Sequence, residues 1–177
     1  MIYEPREDSF LLEEQVKKYA KNKSVLDIGS GSGIIAKATI SSGAKSVLAT
    51  DVDKESIDHL RKIGLNVINS NLFDKVKGKF DLIVFNPPYL PENKKEDKAS
   101  ARATTGGKKG DEIILKFLKQ AKQYLNKDGK IILLVSSLTP IDKIKNLLSK
   151  LSLVYTTLAT KKLFFEALEV WEIKEKV

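Results

Sequence analysis

SVLDIGSGSGIIAKATISSGAKSVLATDVD, residues 24–53, decides the architecture of the chain. It opens and closes on short apolar runs, SVLDI (24–28) and SVLAT (46–50), each bounded by turn residues and rich in β-branched side chains, as buried strands are. Between them residues 34–42 carry the pattern of one helix. Strand, glycine turn, helix and strand in about 30 residues is the βαβ crossover, which pairs its two strands in parallel.

The same alternation continues outward. A helix around residues 55–63 leads to a weaker strand at NVINS (66–70), and FDLIVF (80–85) and KIILLVSS (130–137) read as strong buried strands. DEIILKFLKQAKQYL supplies the helix between those two, with Ile114, Leu118, Ala121 and Leu125 on one face. After a helix within 141–151, SLVYTTLA and FFEALEVWEIK follow with no helix between them, so they pair as an antiparallel hairpin. Ahead of the sheet, SFLLEEQVKKYAK is expected as a helix with Leu12, Val16 and Tyr19 on one face and Asp8 or Ser9 as its N-cap. The expected fold is α/β: a doubly wound, mostly parallel seven-stranded sheet ending in that hairpin.

At 177 residues, with 42% hydrophobic and 31% charged residues, the composition fits one soluble globular domain over 1–177, with 1–22 as a helical entry segment. Residues 90–110, long, charged and glycine-tipped, are expected as a mobile substrate loop. No run approaches a membrane span, and MIYEPREDSF lacks the basic-then-apolar order of a signal peptide, so a cytoplasmic protein is expected. The absence of cysteine removes disulfides, thiolate metal sites and cysteine nucleophiles together, and no metal site is expected. His59, the single histidine, reads as a solvated side chain on a surface helix. The formal charge of +8 comes from 28 lysines and three arginines, Arg6, Arg61 and Arg102, against 23 acids. That lysine bias reflects composition or thermal adaptation more than a phosphate-gripping patch.

Chemistry concentrates at the carboxyl ends of the strands. The turn at 29–33 reads G-x-G-x-G, with Ile34 where the third glycine of a dinucleotide fingerprint falls and no P-loop lysine behind it. Gly29 and Gly31 let a ligand approach backbone amides. Asp27 and Asp51 end their strands beside this turn: Asp51 suits a ribose, Asp27 a cationic group such as an ammonium or sulfonium, and Asp53 a helix cap. At 86–89 stands Asn-Pro-Pro-Tyr. Two prolines stiffen the corner, so the Asn86 side chain and the Pro87 carbonyl are held to accept both N–H groups of one planar amine, with Pro88 fixing the bend and Tyr89 stacking on the amine's face.

DIGSGSG (27–33), ATDVD (49–53) and NPPY (86–89), in this order, resemble the class I S-adenosylmethionine-dependent methyltransferases. YEPREDSFLL (3–12) and TGGKKGDEI (105–113) further resemble the HemK/PrmC protein-glutamine N5-methyltransferases, in their short archaeal and eukaryotic form. The resemblance implies S-adenosylmethionine as cofactor, S-adenosylhomocysteine as product, and the Gly-Gly-Gln glutamine of a class I translation termination factor as acceptor. It implies that Ser9, Asp27 and the Gly29 turn meet the methionine end, that Asp51 holds the ribose, and that Asn71 and Leu72 lie at the adenine, Asn71 standing where aspartate is frequent. Asn86 would touch both cofactor and target amide, and Gly106, Gly107 and Gly110 would let the loop close.

A heterodimer with a small zinc-binding activator is also implied, the zinc belonging to the partner, and NVINS offers a short unguarded edge for it. The alternative is an N6-adenine or other base-amine methyltransferase acting on RNA or DNA, because NPPY does not distinguish an amide from a base amine. A lysine-directed enzyme is disfavoured, since an ammonium must first lose a proton.

Overall fold

In a computed structural model describing residues 4–90 and 104–176, each apolar run of the sequence becomes a strand whose side chains alternate between two cores. Along β1 (Ser24–Ile28), Val25 joins Leu82, Val84, Ile132 and Leu134 on one face, while Leu26 and Ile28 join Ile83, Phe85, Ile131 and Leu133 on the other. A strand buried on both sides cannot alternate polar with apolar, so it reads as a continuous apolar run.

The remaining strands are β2 (Ser46–Asp51), β3 (Val67–Asn69), β4 (Phe80–Phe85), β5 (Leu125–Ser136), β6 (Leu153–Lys162) and β7 (Ala167–Glu175). Seven strands form one sheet in the order β3-β2-β1-β4-β5-β7-β6. The first five run parallel, and β7 is antiparallel to both β5 and β6. The helices α1 (Glu7–Val16) and α2 (Ile34–Ser41) bury Leu12, Val16 and Ile35 against one face, where α3 (Lys54–Lys62) adds Ile57 and Leu60. On the other face α4 (Glu112–Ala121) and α5 (Ile141–Lys150) bury Ile114, Phe117, Leu118, Ile144 and Leu148. Because β1 pairs with both β2 and β4, the strand order reverses there, opening a crevice at the strands' carboxyl ends.

Three local expectations are corrected. The first helix starts at Glu7, with Arg6 at its N-cap and no side-chain cap; Asp8 and Ser9 lie buried in its first turn instead of capping it. Their polar atoms are committed to a tertiary contact, and the first-turn acids Glu7 and Asp8 serve the helix dipole. The strand expected from residue 130 begins at Leu125 and passes through Asp128 at φ 62°, with a register irregularity against β4. The Asp-Gly pair that signals a turn is thus absorbed as a bulge, and Leu125 opens the strand while remaining buried. His59 is half-buried, its Nε2 3.3 Å from the Ser32 carbonyl oxygen in the glycine turn. Among the described residues no helix is long and apolar enough to cross a membrane.

Candidate active site

The crevice is a cavity of about 410 Å³, within the range of small-molecule sites. Its wall includes Ser9, Asp27, Gly29, Gly31, Asp51, Asn71, Leu72 and all of Asn86–Tyr89, so the structure brings every sequence-derived candidate to one place.

The β1–α2 turn is built on positive φ at Gly29, Gly31 and Gly33 (65°, 50° and 81°), which only glycine adopts without strain. Asp51 fastens this turn to β2: its Oδ2 accepts the Gly31 amide at 2.8 Å, and its Oδ1 accepts the Val52 and Asp53 amides at 2.7 and 3.0 Å. A carboxylate has about four acceptor sites, so capacity remains for a ligand hydroxyl. Asp53 caps α3 through the Ser56 amide, as its position suggested.

Asp27 is 2% exposed and its Oδ2 has no hydrogen-bond partner. Burial pushes its carboxyl up to about 7, the Asp51 charge adds to the rise, and hydrogen bonds from the Ser30 hydroxyl and the Ala36 amide oppose it. A buried acceptor in that state is matched by a cation.

At the end of β4 the Asn86 side chain is held by the first turn of α1. Its Nδ2 donates to Asp8 Oδ2 at 3.2 Å and to Ser9 Oγ at 3.4 Å, while its Oδ1 is buried without a partner. The carboxylate fixes the amide's orientation, because the flipped amide would set oxygen against oxygen. Ser9 therefore meets Asn86 directly, and Asp8, read from sequence only as a possible cap, is a site residue that pattern reasoning missed. The one available signal was an acid immediately before Ser9.

The glycine-rich segment after residue 103 packs on this corner. Leu90 N–H donates to Thr104 O and Gly106 N–H to Leu90 O, at 2.8 and 2.9 Å. A Cβ on Gly106 would fall 2.5 Å from Pro88 O, and one on Gly110 2.3 Å from Tyr89 O, so these glycines permit backbone-to-backbone contact with the proline corner. Residues 91–103, the middle of the expected substrate loop, lie outside the described residues. Leu163, Glu166 and Leu168 of the hairpin also line the cavity, which no local signal announced, because only the sheet order returns the hairpin to β5.

A sheet of this order, with a glycine turn, two strand-end acids and an Asn-Pro-Pro corner around one crevice, defines a class I methyltransferase. Residues 7–165 match the methyltransferase small domain, and a Methanocaldococcus jannaschii protein named as a protein N5-glutamine methyltransferase is 39% identical over 96% of this chain and 89% of its own. The chain belongs to this family, in its HemK-type protein-glutamine branch, and S-adenosylmethionine is its cofactor. Methyltransferase HEMK2 of Mus musculus is 28% identical over 96% of this chain and 87% of its own. In fold the chain is similar to the E. cuniculi protein solved as an Mtq2–Trm112 complex responsible for methylation of the eRF1 translation termination factor. The TM-score is 0.82 at 24% identity, with 99% of each chain covered. The residues present fit such a cofactor: the buried Asp27 carboxyl, with one oxygen unpartnered, would meet a cationic group, and Asp51 beside the glycine turn would accept hydroxyls.

Proposed function

We propose that the chain methylates the side-chain amide nitrogen of a protein glutamine, the Gly-Gly-Gln glutamine of a class I translation termination factor, in the cytoplasm. The observation that carries this reading is Asn86, a residue of the cavity wall whose amide donors are satisfied by α1 and whose buried Oδ1 has no hydrogen-bond partner. The name of the Methanocaldococcus jannaschii relative, a protein N5-glutamine methyltransferase, and the termination factor methylated by the E. cuniculi complex support the same substrate class.

A primary amide is a weak nucleophile because its nitrogen lone pair is delocalised. Asn86 Oδ1 and the Pro87 carbonyl accept its two N–H groups, which fixes the plane of the amide and aims its nitrogen along one line; Pro88 stiffens the corner and Tyr89 covers the amide face. When bound, the cofactor supplies an electrophilic methyl group on a sulfonium. As the nitrogen gains positive charge its N–H groups become stronger donors, so both hydrogen bonds strengthen toward the transition state and lower the barrier, and one of the two protons then leaves to water to give the neutral N-methyl amide. Asp27 and Ser9 hold the methionine end, Gly29 and Gly31 shape the turn beneath it, Asp51 takes the ribose, and Asn71 with Leu72 borders the adenine.

The working unit is a heterodimer with a small zinc-binding activator that adds to the outer edge of β3. That edge is three residues long and ends beside Val52, a residue 54% exposed whose backbone carbonyl accepts from the Asn69 side-chain Nδ2 at 3.2 Å.

The test is incubation of the enzyme with labelled S-adenosylmethionine and cell extract, followed by protease or nuclease. Label lost to protease alone is the expected result. Label lost to nuclease alone overturns the protein reading and supports base-amine transfer.

A further inference from the structure

We infer that Phe164 and Phe165, at the turn between β6 and β7, form the docking point for the acceptor protein and engage an apolar patch on it near the methylated side chain. This rests on the protein-methylation reading above. The two rings are 92% and 85% exposed and pack edge to face with centroids 4.7 Å apart. Adjacent aromatic side chains left in water on a well-built turn mark a contact surface more than a folding requirement.

The turn is held firmly. Leu163 N–H donates to Glu166 O at 2.7 Å, the Ser136 hydroxyl donates to the Glu166 carboxylate at 2.6 Å, and Lys161 pairs with Glu7 of α1. Leu163 and Glu166, which flank the two phenylalanines, line the catalytic cavity, so the aromatic tip is continuous with its rim. Leu138 and Phe10, also exposed, lie on segments bonded to the hairpin. Ser137, beside Leu138, donates its N–H to Ala167 O, and Phe10 lies one helical turn from Glu7. Four of the six large apolar side chains exposed among the described residues therefore lie on segments tied to this hairpin.

Topology says which ligand meets it. The glycine turn, Asp51 and Asn71 lie toward β1, β2 and β3, whereas the hairpin lies beyond β4 and β5 on the other side of Asn86. With the cofactor in the first half, an acceptor reaches Asn86 from the second half and passes the tip. Charge says what the acceptor is. Around the tip, residues 161–169 carry Lys161 and Lys162 against Glu166 and Glu169, and Lys161 is already paired with Glu7. In a chain of formal charge +8 this rim has no basic excess to draw a phosphate backbone, so the aromatic tip suits an apolar protein surface.

The test compares two acceptors, an intact termination factor carrying Gly-Gly-Gln and a short peptide of that motif, with the Phe164→Ala/Phe165→Ala enzyme. Both side chains bury little, so the variant folds; the Phe164→Leu/Phe165→Leu enzyme keeps an apolar tip and recovers most of the effect. The expected result is a KM for the intact factor raised about tenfold or more, with kcat, cofactor affinity and the peptide KM unchanged. An unchanged KM for the intact factor, or an equal rise for both acceptors, overturns the docking role while leaving the substrate reading intact. Transfer to RNA that falls in the variant overturns the protein occupant. If the unmodified enzyme methylates neither acceptor, the substrate reading fails and the docking role fails with it.

Discussion

Replacing Asp27 with asparagine keeps the size of the side chain and one acceptor but removes its charge. In the unliganded protein this carboxyl is buried, has one unpartnered oxygen, and is raised from 3.8 to about 7. The native carboxyl therefore keeps its proton over a range in which the unfolded one has lost it. Stability is highest near and below the unfolded value, falls as pH rises toward the native value, and levels off above it. From 3.8 to about 7 the cost amounts to ~4 kcal/mol, of which about 3 kcal/mol develops between roughly pH 4.5 and pH 8.5. Urea denaturation of both proteins at those two pH values measures it. The stability of Asp27→Asn relative to wild type should rise by about 3 kcal/mol across the interval, while calorimetry shows weaker S-adenosylmethionine binding. Wild-type binding below about pH 7 should also take a proton from the carboxyl, detectable as a dependence of the binding enthalpy on buffer. A stability difference that stays constant with pH would mean that Asp27 titrates as an ordinary carboxylate and has no cost for a cation to offset.

Asp8 is a positioning residue, so Asp8→Ala should lower kcat about tenfold or more with little change in cofactor affinity, and Asp8→Asn, which can still accept from Asn86, should recover most of it. Equal losses in both variants, or a loss confined to KM, would remove that role. Gly106→Ala should cost about 2 kcal/mol or more in thermal unfolding and depress turnover by shifting the proline corner, since its Cβ would meet Gly110 O and Pro88 O within 2.5 Å. Val52→Glu should abolish co-purification with a Trm112-type subunit while leaving the isolated chain folded; retained co-purification would move the partner away from the β3 edge.

The parts of the fold legible in sequence are those whose signal is local. β1, β2 and β4 are buried on both faces and must read as apolar runs, and the Pro87–Pro88 corner announces its own stiffness. The cap reading of Asp8 and Ser9 fails because a polar pair before an apolar stretch signals a cap, whereas their side chains serve Asn86, 78 and 77 residues away. The start of β5 was hidden by Asp128 and Gly129, whose turn chemistry the strand absorbs. His59 against Ser32 O, and Leu163 and Glu166 at the cavity, depend on how distant elements are brought together, which no window of sequence contains.

The most direct measurement is peptide mass spectrometry of a Gly-Gly-Gln termination factor after incubation with the enzyme and S-adenosylmethionine, beside an Asn86→Ala control. The predicted result is one methyl group on the glutamine side-chain amide, formed on the order of 10²-fold more slowly by the control because the acceptor that pins the amide is gone. A methyl group found on lysine, or glutamine methylation at the wild-type rate without Asn86, would contradict it.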